Sequence, residues 1–304
     1  QVAVKDYAAT SGTNSILIAR NGSNISGEAS DVSLAVDGIS VLFLYVDATQ
    51  GWSQILTGEN LALGEKYVTA TGGTITTSGD YKIHKFTGPG TFTVTCAGTS
   101  LGSDKVDYMI VAGGGGAGPS HASGGGAGGF RETPGSVSGS YTASPIAGSL
   151  SAFSVAATGY PVVVGAGGTG GFSGTPGGSP GSDSSIFGFS SAGGGAGQAT
   201  DTGTSAPSGG SGGGGAGIGP RPDTGGGTGN TPSTSPAQGK DGGNGSPFPG
   251  SGIGGGGGGG GATVAGSPAT PSGGGSPNSG GNGGDGATTN ISGSPLSFAG
   301  GGGG

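Results

Sequence analysis

The chain has 304 residues, of which 84 are Gly, 18 are Pro and 8% are charged, against about 7% Gly and about 25% charged residues in an ordinary soluble domain, so a conventional globular fold is excluded for most of it. Its net charge of -7 is spread thinly without a Lys/Arg cluster, which argues against a nucleic-acid partner because phosphate binding needs a concentrated basic face. No run approaches the ~20 apolar residues of a membrane helix, the start "QVAVKDYAAT" lacks the basic and apolar regions of a signal peptide, and the lone Cys96 has no intramolecular disulfide partner, so the expectation is a soluble chain with no membrane insertion and no cystine framework.

Glycine is unevenly placed, with 14 of the 84 before Ala112 and 70 after it. The sequence divides into three parts: a β-rich module over 1–63, a β-sheet region over 64–112, and a glycine-rich domain over 113–304. From Asn14 to Leu56 short apolar runs alternate with Asn-Gly, Ser-Gly, Asp-Gly and Gln-Gly, a spacing that predicts an antiparallel β-meander. The predicted strands are Ser15–Arg20, Val32–Val36, Ile39–Val46 and Gly51–Leu56. The run "ISVLFLYV" is apolar on both faces, which leaves two readings: a face buried by a partner chain, or a small core completed by Trp52 and Leu56.

After Gly64, strands are predicted near Thr74–Thr76, Tyr81–Phe86 and Thr91–Cys96, the last two joined as a hairpin through the "TGPG" turn. "VDYMIV" then supplies a further strand of the sheet. His84 sits in the alternating run "YKIHKF" and reads as a solvent-facing strand residue without a catalytic partner.

Beyond Ala112, ten glycine runs alternate with short inserts without a fixed period. Disorder is one outcome for such a composition, since glycine loses the most backbone entropy on folding and offers no side chain to bury. Collagen is excluded because "GGGGGGGG" over 254–261 has no three-residue pattern. The remaining structure is a bundle of extended glycine helices with about three residues per turn and no internal hydrogen bonds, whose N–H and C=O groups bond to neighbours. Occasional Ala or Ser would fit where a segment faces outward. The lead-ins "YMIVAGGGG" and "YPVVVGAGG" would anchor glycine segments to a sheet.

The expected fold class is therefore an all-β N-terminal region, with a β-meander module and a sandwich-like antiparallel sheet, followed by a bundle of polyproline/polyglycine II helices with essentially no α-helix. "VVVGAGGTG" matches a dinucleotide fingerprint at Gly165, Gly167 and Gly170, but the following "GFSGTPGGSPGSDSS" cannot supply the helix that motif requires. No triad, paired-Cys or clustered-carboxylate pattern is present, so neither an enzyme, a metal site nor a cofactor is expected.

Two resemblances add to this reading. "SILIARNGSNISGEASDVSLAVDGISVLFLYVDATQGW" is similar to a small β-module of bacteriophage tail fibres, which implies a homotrimer with the two-faced strand, through Val41, Phe43, Tyr45 and Trp52, at the interface. The combination "GGTIT…GDYKIHKFTGPGTFTV…VDYMIVAGGGGAG…GGGAGGFRE…YPVVVGAGG…GSDSSIFG…AGGGAG" resembles the glycine-rich domain of phage tail proteins and is similar to the polyglycine sandwich of distal adhesins. The resemblance implies a virion tail-fibre location, contacts with other tail proteins, and a bacterial surface receptor bound by inserts between glycine segments.

If the segments alternate in direction, the distal inserts would be 119–123, 172–192, 220–224, 262–272 and 287–299, carrying His121, Phe172, Phe187, Phe189, Arg221 and Phe298. Aromatics and Arg are the residues of binding hot spots. For "SSIFGFSS" the competing reading is that the aromatics cap the bundle against water. Tyr141, Phe153 and Tyr160 are expected to pack on the β-region. Other functions compatible with the sequence are an extracellular fibril subunit and, with less support, an ice-binding protein.

Overall fold

A computed structural model describes residues 1–56, 67–98, 102–119, 123–135, 141–148, 150–172, 174, 177–199, 204–217, 224–247, 254–271 and 279–304. The chain divides into two compact units: Gln1–Val68 with Ala97–Asp104, and Thr69–Cys96 with Lys105–Gly304.

In the first unit β1 (Val2–Lys5), β4 (Ser40–Asp47) and β5 (Gly51–Leu56) form an antiparallel sheet in the order β1-β4-β5, while β2 (Ile16–Ile18) pairs with β3 (Val32–Leu34). Alternation along β4 buries Val41 and Phe43 against Ile25 and Leu34, with Val4, Ile16, Ile18, Val32 and Trp52 packed around them. Two of the residues expected at a trimer interface, Val41 at 1% and Phe43 at 4% exposure, thus fill the core of their own chain. Tyr45 stands edge-on to Trp52 at 5.5 Å and is exposed. The opposite face leaves Leu44, Val46 and Ile55 exposed.

The Asp6 carboxylate closes this unit by accepting from Ser11 N and Gly38 N, at 2.8 and 3.0 Å, and from Ser11 Oγ. Those hydrogen bonds, led by the Ser11 hydroxyl, hold its pKa down to about 2.

The second unit begins with β6 (Thr69–Thr71), β7 (Thr74–Ser78), β8 (Tyr81–Lys85) and β9 (Gly90–Cys96). The expected hairpin across "TGPG" is not formed. β8 pairs back onto β7, and β9 lies between β6 and β14 (Gly159–Val162). The reason is local: the Gly79-containing turn between β7 and β8 has positive φ (+56°) and closes the tighter hairpin first in the chain. His84 is half-buried rather than solvent-facing, with Nδ1 2.9 Å from Gly72 O and its ring edge-on to Phe92.

β10 (Lys105–Val106) pairs with β13 (Phe153–Ser154), and β11 (Met109–Val111) with β12 (Phe130–Glu132). Between these strands the backbone becomes a glycine bundle. Thirteen extended segments can be traced through the described residues: g1 (112–118), g2 (123–129), g3 (165–171), g4 (177–183), g5 (192–198), g6 (204–208), g7 (211–217), g8 (224–230), g9 (238–246), g10 (254–262), g11 (264–270), g12 (279–286) and g13 (299–304). No helix occurs among the described residues.

The central segment g10 shows how the bundle is held. Its N–H groups turn through three directions with a period of three: Gly257 and Gly260 donate to g7, Gly258 and Gly261 to g11, Gly259 and Ala262 to g13. Its carbonyls do the same, with 255, 258 and 261 accepting from g9, 256 and 259 from g12, and 257 and 260 from g2. Six neighbours surround one segment through bonds of 2.8–3.0 Å. That period is the signature of a threefold polyglycine II helix.

Sequential segments strictly alternate in direction. Ala112 N to Gly129 O and Gly115 N to Gly126 O set g1 and g2 antiparallel, whereas Gly194 N to Gly113 O and Gly197 N to Gly116 O set g1 and g5 parallel.

The packing explains the composition. A Cβ on Gly258 would lie 2.0 Å from Asn282 O, and one on Gly259 2.0 Å from Gly125 O, so no side chain fits the interior at these positions. Alanine and serine occupy both kinds of position: Ala117, Ala166, Ser179 and Ser182 are exposed, as expected where a segment faces outward, while others lie inside. Ala127, Ala196, Ala216 and Ser211 are buried, because the neighbours leave room there for one small side chain, and Ser211 Oγ bonds to Gly261 O at 3.2 Å. The two anchors are as expected: β11 runs directly into g1, and β14 leads into g3.

Candidate functional site

Alternation gives the bundle two ends. The near end is where β11 enters, and it receives the described parts of 130–164 and the connections 184–191, 209–210, 231–237, 263 and 287–298. The far end is where the odd-numbered segments finish.

At the near end β15 (Ser184–Ile186) and β16 (Phe189–Ser191) form a hairpin across Phe187-Gly188. Both turn residues have positive φ, +57° and +80°, which a two-residue type I′ turn requires. Glycine accepts this at no steric cost, but Phe187 does so at about 1–2 kcal/mol. Packing holds it there. Phe187 stacks on Phe153 at 4.3 Å and meets Tyr108, Tyr160 and Phe92 edge-on at 5.3, 5.0 and 6.0 Å. Phe189 stacks on Tyr108 at 5.7 Å and carries the Arg131 guanidinium over its ring at 5.9 Å.

This aromatic cluster seals the bundle end against the β-sheets. Phe153, Tyr160, Pro161 and Phe187 leave a shallow depression of about 430 Å³ on its outside. Burial pushes the Tyr108 hydroxyl up to about 12, with nearby Arg131 opposing the shift. Burial also raises the Tyr141 hydroxyl, which donates to Thr133 O at 2.8 Å.

Side chains satisfy open backbone groups along and at the ends of segments, as polar residues do at helix caps. Asp183 Oδ1 accepts from Gly193 N at 2.8 Å, Asp241 Oδ1 from Gly229 N at 2.8 Å and Asn244 Oδ1 from Gly226 N at 3.0 Å. Gln238 is fully buried and bridges two connections, accepting from Ala192 N at 2.8 Å and donating to Pro232 O at 2.7 Å. Buried Glu132 accepts from Ser144 N at 2.9 Å and from Thr289 Oγ1, tying β12 to β17 (Ala287–Thr289).

The six residues singled out by sequence do not share one end. Phe187 and Phe189 lie in the near-end cluster. Phe298, on β18 (Leu296–Phe298), packs at the near end against Phe130, Ala262 and Ala287. Phe172 lies at the far end, directly after g3, and is 73% exposed. His121 and Arg221 lie outside the described residues. The expected layout is corrected by g4: "GGSPGSD" is not part of a long insert but a return segment. Gly178 and Gly181, three apart, are the positions that face g1, where a Cβ would come within 2.4 and 2.0 Å of a carbonyl oxygen. The spacing Gly-x-x-Gly was the available signal, because a segment with neighbours on one side needs glycine only at every third residue.

A backbone lattice of this kind, entered from a small sheet, agrees with the comparison of the chain with known families: the model of the glycine-rich domain matches residues 86–304. The chain belongs to the glycine-rich domain family. The matched span begins on Phe86, just before β9, so the domain includes the anchoring strands as well as the bundle. Comparison with curated proteins and with solved structures gave no match. Among the described residues of this glycine-rich domain protein, no group of three His, Cys, Asp or Glu side chains could hold a metal ion, and no helix is long and apolar enough to cross a membrane.

Proposed function

We propose that the protein is a phage tail-fibre adhesin, a non-catalytic extracellular virion component that assembles as a homotrimer and contacts a bacterial surface receptor through connections between its glycine segments. The carrying observation is Phe172. It is a large aromatic ring, 73% exposed, directly after g3 at the far end of the bundle. Exposed aromatics on a rigid scaffold supply contact area at low entropic cost. A bundle held by its backbone leaves its far-end connections free to change without loss of the core, which suits a surface that follows a varying receptor.

The test is binding of the labelled full-length protein to a panel of bacterial cells. Cell-specific binding that Phe172→Ala weakens at least about tenfold, with unchanged thermal unfolding, is the expected result. Unchanged binding by the variant rejects Phe172 as a contact, and binding to no cell type in the panel counts against the adhesin. A second reading, an extracellular fibril subunit, is favoured by the Gly167 and Gly170 carbonyls of g3, which accept no hydrogen bond among the described residues. Electron microscopy separates the two, since short discrete rods fit the adhesin and open-ended filaments the fibril.

A further inference from the structure

The hydrogen-bond period of three exposes an empty lattice position on the side of the bundle. In g2, Gly124 and Ala127 donate to g10, and Gly126 and Gly129 donate to g5. The third direction belongs to Gly125 and Gly128. Both residues are buried, yet their N–H groups have no acceptor among the described residues. Their direction runs between g1 and g13, and the room at Gly114 and Gly302 there implies a narrow groove. Buried backbone donors left without acceptors are rare and costly, so these two groups point to an absent acceptor.

The walls of the groove agree. A Cβ on Gly114 of g1 would meet nothing closer than Gly126 O at 3.6 Å and Gly128 N at 3.9 Å. One on Gly302 of g13 would lie 3.4 Å from Gly125 N and O. Interior glycines would instead place a Cβ about 2.0 Å from a carbonyl. Within one chain, then, Gly114 and Gly302 are glycine without steric need, and a side chain on either would fill the groove.

A matching projection lies on the same molecule. Among the described residues, segment g3 bonds to g1, to g4 and, through Gly165 N, to Ser184 Oγ of β15, and leaves one side exposed. Its exposed Gly167 and Gly170 would also tolerate a Cβ, with nearest atoms at 3.7 and 4.0 Å. Their carbonyls accept no hydrogen bond among the described residues. Two acceptors three residues apart on g3 match two donors three residues apart on g2.

We infer that the groove over Gly125 and Gly128 receives segment 165–171 of a second copy of this chain, adding one more polyglycine helix to the lattice. It is the bundle's counterpart of strand addition at a sheet edge. The occupant must turn glycines to the groove, because a row without side chains is what one lattice spacing admits, and g3 offers such a row in Gly167 and Gly170, with unused carbonyls, while Ala166 and Thr169 lie on another row. The contact is separate from the proposed receptor surface and does not depend on it.

The test follows amide hydrogen exchange at Gly125 and Gly128 in the full-length protein over a hundredfold range of concentration, alongside sedimentation velocity. Exchange at both amides should slow as concentration rises. Gly114→Val, Gly302→Val and Gly167→Val should each abolish that slowing and raise the dissociation constant at least about tenfold. Gly300→Val, on g13 but directed toward Gly286 and Gly284, should change neither. If a valine variant unfolds, Gly114→Ala, whose methyl meets nothing within 3.6 Å, carries the comparison. Exchange that is independent of concentration, or unaffected by the groove substitutions, would overturn the inference.

Discussion

The two units of this protein solve the same problem by opposite means. In the first, Val41 and Phe43 remove apolar side chains from water, and the backbone bonds mainly within two small sheets. In the glycine bundle the interior is backbone, and g10 has protein on six sides with hardly a side chain in it. Side-chain burial returns about 1.5–3 kcal/mol per large apolar residue. A net backbone hydrogen bond returns only about 0.5–1.5 kcal/mol, against an ordering cost of about 1–2 kcal/mol per residue. The bundle therefore depends on every direction being filled and on apolar anchoring at its near end. A side-chain core tolerates partial repacking, whereas a backbone lattice tolerates almost no added atom.

Substitutions can break or sharpen this contrast. Phe43→Ala should destabilise the first unit most, by about 3–5 kcal/mol, and differential scanning calorimetry should show that transition fall while the bundle's stays in place. A single shared transition would mean that the units are not energetically separate. Gly258→Ala adds one methyl against Asn282 O and should cost the bundle about 3 kcal/mol, an effect ordinary cores do not show for so small a change. Gln238→Ala leaves the buried Ala192 N without its acceptor and should cost about 1–3 kcal/mol, measured by the bundle's urea midpoint.

The first unit should also respond to acid through Asp6. Its folded pKa of about 2 lies below the ordinary value of about 3.9, so its contribution is present above the ordinary value and lost as pH falls toward 2. The urea midpoint of this unit should drop between pH 5 and pH 2, and Asp6→Asn should flatten that drop. At the small end, Gly114→Ala should leave the bundle's urea midpoint within about 0.5 kcal/mol of wild type. A large loss there would refute the distinction between glycines the lattice needs and those it does not.

The sequence made the bundle legible where glycine was continuous, as over 254–261, and where an apolar strand ran into it, as at 109–118. It hid g4, g9 and g11. In those segments Ser, Pro, Asp, Lys and Asn stand at solvent-facing positions, and only the spacing of Gly178 and Gly181, or of Gly239, Gly242 and Gly245, betrays the helix. Because g4 is a return segment, Phe187 and Phe189 lie at the near end of the bundle instead of in a distal insert. Phe172, expected in a distal insert, follows g3 directly and is exposed. The capping reading of "SSIFGFSS" matches the packing of its two rings.

What the sequence determined alone is the kind of core: with 70 of 84 glycines after Ala112, side chains could fill only the near end, and threefold backbone packing was the ordered structure left for the rest. What only the tertiary structure decided is which segments touch. Every glycine helix offers the same donors and acceptors in the same three directions, so sequence carries little information about partners. The neighbours of g10, the hairpin of β7 with β8, and the empty position beside g2 are set by how the anchored segments fill space together.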